Sequence, residues 1–196
     1  MIIITSLKVT KRYNTFMIQN PQLATLFFSS LTIFAQIVSF FIVLSLFMNN
    51  IFSKKIKAFF AKRALLCSFL IALVSMLGSL YYSEIAQYTP CTLCWYQRIL
   101  MYPQVVLLGL SYLRKDSAIS VYGMVFSGIG FIIASYHYLL QIGTIEELTP
   151  CGVVGYSVSC SENFGMTFGY ITIPMMAMSG FLLIFLLLLI LHRSKH

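Results

Sequence analysis

A stretch of eleven residues, "FLLIFLLLLIL" at 181–191, contains no polar atom outside the backbone. Four other stretches come close to it, and together they decide the fold class. The five apolar spans run from Leu23 to Met48, Ala64 to Tyr82, Trp95 to Leu113, Ala118 to Leu140 and Tyr170 to Leu191. Each is close to the ~20 residues a helix needs to cross the hydrocarbon core of a bilayer. In lipid every backbone N–H and C=O must find its partner within the segment, so the spans are helices. The long aliphatic runs also lack the alternation of a half-buried strand. Hydrophobic residues make up 59% of the chain and charged residues 9%, where a soluble domain carries about a quarter. The spans leave no length for a separate soluble domain, and the reading is an all-α integral membrane bundle.

The net charge of +8 invites a nucleic-acid reading, but its distribution argues against one. Lys54, Lys55, Lys57, Lys62 and Arg63 cluster after the first span, Arg114 and Lys115 after the third, and Arg193 and Lys195 after the fifth. The connections at 83–94 and 141–169 contain no Lys or Arg. Basic loops stay in the cytoplasm, so the two uncharged or acidic connections face outward and the C-terminus is cytoplasmic. Lys8, Lys11 and Arg12 then lie outside, outvoted by the five charges after the first span. A cleaved signal peptide is the rival reading of this segment. Its apolar stretch is long for one and has no small-residue cleavage site, so an uncleaved helix is expected.

Small residues recur at helical spacing, Ala72, Ser75 and Ser79 in the second span and Gly123 and Ser127 in the fourth. Such faces allow close helix approach in lipid. Pro103 and Pro174 are read as lying inside spans and kinking them.

The chemistry concentrates in the two outward connections. Cys91 and Cys94 stand at the start of the third span, where the helix N-terminus favours a thiolate. Arg98 follows Cys94 by one turn, so the two share a face. An arginine at that depth either snorkels to the interface or serves a polar ligand or thiolate inside the bundle. The cysteine one turn above favours the second reading. Cys151 and Cys160 form a second pair around eight residues that include Gly152 and Gly155. Alone, that pair reads as a structural disulfide. Two pairs in two outer connections suggest thiol–disulfide exchange between them. A four-cysteine zinc site is disfavoured, because structural zinc draws on tighter Cys knuckles. His137, near the outer end of the fourth span, reads on general grounds as an interfacial or packed residue. Gln97 and Glu84 are weaker candidates, and Cys67 is a small apolar packing residue.

"PCTLCWYQRILMYP" (90–103) resembles the signature of the DsbB family of disulfide-bond-formation proteins. "YHYLLQ" (136–141), "CSENFG" (160–165) and "ITIPMMAMSGF" (171–181) resemble its compact BdbC-type branch. The early Cys-x-x-Cys separates the chain from the vitamin K epoxide reductase relatives, which carry theirs late. The resemblance covers about 62–191. It implies a four-helix DsbB-like redox domain over 61–196, with 1–60 as a tail, an extra N-terminal transmembrane helix and a basic cytoplasmic loop. It also implies a quinone-dependent thiol oxidase of the bacterial cytoplasmic (inner) membrane. Such an enzyme reoxidises a DsbA-like (BdbD-like) thioredoxin-fold partner and passes the electrons to ubiquinone or menaquinone, with no metal. In that scheme Cys94 faces the quinone with Arg98 at its carbonyl oxygens and His137 nearby. Cys91 exchanges with Cys151–Cys160, and Cys151 forms the mixed disulfide with the partner. The second loop is shorter here than in the better-studied DsbB proteins. The alternative outside this class is a scaffold membrane protein with two inert external disulfides.

Overall fold

The computed structural model describes residues 21–48, 51–116, 118, 120–145, 159–161 and 166–195. Five long helices account for most of them: α1 (Pro21–Phe47), α2 (Ile51–Leu80), α3 (Thr92–Arg114), α4 (Ser120–Gln141) and α5 (Ile173–Lys195). Among the described residues there is no strand, only one isolated bridge between Thr167 and Ile171. Among the described residues, four helical segments are long and apolar enough to cross a membrane: Pro21–Phe47, Lys55–Ile85, Ser120–Gln141 and Ile173–Ser194. The fifth helix, α3, has 23 residues but carries Gln97, Arg98 and Gln104, which lower its hydropathy.

Consecutive helices α2, α3, α4 and α5 pack side by side, and α5 closes the ring against α2. The register is antiparallel. Ser79, near the end of α2, meets Arg98 near the start of α3, and Gly123 of α4 meets Leu188 of α5. Lys55, Arg114, Lys115 and Arg193 therefore gather at one end of the bundle and Cys91, Cys94 and His137 at the other. α1 lies outside the ring, against α5 and α2.

The burial pattern identifies the solvent. The buried residues of α1 are Ser29, Thr32, Ser39, Ile42 and Ser45, while Phe34, Phe40 and Phe47 are 65%, 65% and 85% exposed. Polar residues inside and aromatics outside invert the order of a water-soluble helix. In lipid that order is stable, because the tails are as apolar as the side chains and helices associate through close packing and interhelical hydrogen bonds. Ser127 Oγ accordingly donates to Gln104 Oε1 at 2.9 Å across the buried α3–α4 interface.

Two expectations change. From Ile51 onward the basic segment is not a loop, because α2 begins there. Its lysines and alanine are good helix formers with no Gly or Pro to stop them, so the helix extends beyond the apolar span. Pro174 does not kink a span either. It is the second residue of α5, where the missing N–H would have no intrahelical partner. Pro103 does lie inside α3.

The small-residue faces are contact faces. A Cβ on Gly130 would enter the ring of the fully buried Phe181. We expect Gly130→Ala to destabilise the protein by about 1–2 kcal/mol, because overpacking costs more than the ~1 kcal/mol gained by removing a helical glycine. Thermal unfolding in detergent measures it, and adding Phe181→Leu should recover part of the loss.

Candidate functional site

After α2 the chain makes one wide π-helical turn, Tyr81–Ile85, and then extends to Pro90. The turn is held by Ala86 N–H to Tyr81 O (3.0 Å) and Tyr88 N–H to Tyr82 O (2.9 Å), with the Tyr82 and Tyr88 rings stacked at 5.9 Å. Gln87 takes a left-handed conformation (φ 58°) that reverses the chain. This delivers Cys91 to the N-cap of α3, where its extended backbone (φ −76°, ψ 174°) lets Sγ accept from the Cys94 N–H. A sulfur thus occupies the place normally taken by a Ser or Asp oxygen.

The two sulfurs lie 3.3 Å apart, both thiols free, with Cys91 donating toward Cys94. That hydrogen bond, reinforced by burial and opposed by His137, pushes the Cys91 thiol up to about 12. Cys91 therefore holds its proton at neutral pH, and its thiol stabilises negative charge on Cys94. His137 stands on the other side of Cys91, with Nε2 at 3.6 Å from its sulfur. The imidazole is 2% exposed, and its Nδ1 lies 3.0 Å from the Gln97 side-chain amide. That pairing sets the tautomer, and with it the role Nε2 plays toward Cys91.

Arg98 is half-buried and clamped. Its Nε donates to Ser79 Oγ (2.9 Å) and a terminal nitrogen to Ser79 O (3.1 Å), while the guanidinium lies 5.3 Å from the Trp95 ring centre. Ser79 takes two of its five donors, leaving the rest for an acceptor. Cys91, Cys94, Gln97, Arg98 and His137 all line one cavity of about 650 Å³, which continues between apolar side chains of α1, α2 and α5. Cys91 Sγ, Cys94 Sγ and a His137 ring nitrogen lie within 4.8 Å of one another, a set that could also hold a metal ion.

Of the expected residues, the structure thus brings Cys91, Cys94, Arg98 and His137 together, with Cys94 and Arg98 facing the same space. His137 is a buried partner of Cys91 and not an interfacial side chain. Cys160 is 1% exposed and packs in one cluster with Cys91 and Leu140. Cys151 lies outside the described residues. Glu84 is exposed and bonds only locally, to Ser83 and Gln87. Two residues were undervalued. Gln97 was legible, since Cys94, Gln97 and Arg98 stand at i, i+3 and i+4 on one helical face. Ser79 was not, because its role as the clamp of Arg98 depends on how α2 meets α3.

The family of "Disulfide bond formation protein DsbB" matches residues 61–191. "Probable disulfide formation protein C" of Halalkalibacterium halodurans is 44% identical over 131 residues, 67% of this chain and 94% of the relative. "Disulfide bond formation protein C" of Bacillus subtilis is 43% identical over 132 residues, again 67% and 94%. "Probable disulfide formation protein" of Oceanobacillus iheyensis is 42% identical over 136 residues, 69% and 92%. No solved structure matches the chain. The chain belongs to the DsbB family of membrane disulfide-bond-formation proteins.

Proposed function

We propose that this protein is a membrane thiol oxidase that takes electrons from a reduced thioredoxin-fold partner outside the cytoplasmic membrane and delivers them to a membrane quinone. The observation that carries the reading is the single cavity into which Cys91, Cys94, Arg98 and His137 open, and which runs on between membrane helices. The residues fit a quinone on three counts. The walls are apolar along most of the cavity, a guanidinium with spare donors sits at the dithiol end, and a sulfur able to give electrons lines the same space. When bound, the quinone accepts two electrons and two protons.

The chain's own residues do the rest. The partner's dithiol transfers two electrons and two protons to Cys151–Cys160, through a mixed disulfide at Cys151. Cys160, freed as a thiolate, attacks Cys91 of the Cys91–Cys94 disulfide and expels the Cys94 thiolate. Closure of Cys151 on Cys160 then releases Cys91. The burial of Cys160 in one cluster with Cys91 and Leu140 supports this order. Once released, the Cys91 thiol stabilises the Cys94 thiolate, and His137 is placed to move the Cys91 proton. Arg98 stabilises negative charge that develops at the acceptor's oxygens, from a position fixed in advance by Ser79. On re-formation of the Cys91–Cys94 disulfide, two electrons and two protons leave the pair. The concentration of Lys and Arg at the end opposite the cysteines supports an extracytoplasmic site. The domain division follows, with 61–196 as the redox unit and 1–60 as an addition to it.

The redox state of the thiols in native membranes tests the reading. With reduced partner present and quinone withdrawn, alkylation should trap Cys91, Cys94, Cys151 and Cys160 reduced, and adding quinone should reoxidise both pairs. A scaffold protein with two inert disulfides would remain oxidised in both conditions.

A further inference from the structure

α1 belongs to this chain and not to the matched family region, which begins at residue 61. A relative already 94% covered by 131 residues of this chain has no room for a further membrane helix. Yet α1 is built into the cavity that holds the dithiol. Phe28, Leu31, Ala35 and Val38 form one face of α1 at helical spacing, and that face is a wall of the cavity. Gln36 fixes its position: the amide donates to Ser179 Oγ of α5 at 3.1 Å, and its oxygen accepts from Tyr170 at 3.0 Å.

The shape of the cavity identifies the occupant. On α5 alone the lining runs from Ile173 to Leu187, which spans about 21 Å at ~1.5 Å per residue. The dithiol, Gln97, Arg98 and His137 collect at one end, and the remainder of the lining is largely apolar. A head group fills only the first part. A long, unbranched-in-outline apolar groove continuous with a polar head site fits a ligand with a small polar head and an extended hydrocarbon tail.

Resting on the quinone reading above, we propose that α1 walls a binding groove for the polyprenyl tail of the quinone, so that this chain discriminates among acceptors by their tails. Lipid is as apolar as the groove, so hydrophobic transfer contributes little to the preference. Discrimination comes from shape, because a tail held between α1, α2 and α5 positions the head beside Arg98.

The test uses the full-length protein in detergent with two quinones of the same head group, one with a long polyprenyl tail and one with none. Ala35→Phe and Val38→Phe narrow the groove, and Phe40→Trp, on the lipid-facing side of α1 at 65% exposed, is the control. The two groove variants should raise KM for the long-tailed quinone about tenfold and leave KM for the tail-less one within about twofold, a ratio that corresponds to ~1.4 kcal/mol. The control should change neither. Quenching of the single tryptophan, Trp95, by each quinone reports binding in the groove variants if their turnover is lost. Unchanged use of the long-tailed quinone, or equal losses for both quinones in KM and in quenching, overturns the α1 groove. Failure of the unaltered protein to reduce either quinone overturns the quinone reading itself.

Discussion

Cys91→Ser and Cys94→Ser each lower reoxidation of the reduced partner by about 10³-fold or more, to background. The size of the effect follows from the chemistry, because a hydroxyl neither forms a disulfide nor leaves as a stable anion at neutral pH. The two variants fail at different points. With Cys91→Ser the attack of Cys160 has no target, so the loop pair stays reduced once it has received electrons. With Cys94→Ser the Cys91 thiolate can still attack the Cys151–Cys160 disulfide and expel the Cys151 thiolate, and an inter-loop Cys91–Cys160 disulfide should accumulate. Non-reducing mass spectrometry of the two proteins after exposure to reduced partner distinguishes them. Full activity in either variant refutes the redox assignment.

Arg98→Ala should raise KM for quinone by about 10- to 100-fold while leaving all four thiols able to form their disulfides. A hydrogen bond to a charged group is worth ~1.5–3 kcal/mol, and tenfold corresponds to ~1.4 kcal/mol. Arg98→Lys should recover little of this. Ser79 holds the planar guanidinium by two donors at once, and an ammonium cannot make both contacts and still present further donors at the same point. Quinone titrations of turnover give the first number, and thiol counting of the oxidised proteins gives the second. An unchanged apparent affinity in Arg98→Ala would remove the guanidinium from the acceptor site. Partial activity in Ser79→Ala would indicate that pre-positioning, and not charge alone, sets the affinity.

The residues that carry these predictions were not equally visible in the sequence. Cys91, Cys94 and Arg98 lie within eight positions, so local helix geometry alone puts Cys94 and Arg98 on one face. His137 stands 40 residues from Gln97 and 46 from Cys91, and no local rule connects them. On general grounds it reads as an interfacial or packed residue, and only the resemblance places it near the site. Ser79 was read as a packing residue because serine at helical spacing has that meaning in lipid. In the folded protein it is the clamp of a cation, since the antiparallel approach of α2 and α3 puts its hydroxyl and carbonyl where Arg98 must bond. The basic segment after the first span is the opposite case. Clustered charge suggests a loop, whereas lysines extend a helix beyond its apolar span without difficulty.

By itself the sequence determined the class of fold and the location of the chemistry. Lipid permits few backbone solutions, so a run of about twenty apolar residues is nearly a structural statement, and paired cysteines at a helix start announce their reactivity. Only the tertiary structure decided which side chains share a cavity, that Cys160 is buried in one cluster with Cys91, and that α1 closes the groove the dithiol opens into. Those facts depend on register and rotation between helices. In lipid these are set by many small contacts such as Gly130 on Phe181, and no hydrophobic pattern encodes them when the helices are apolar over most of their surface.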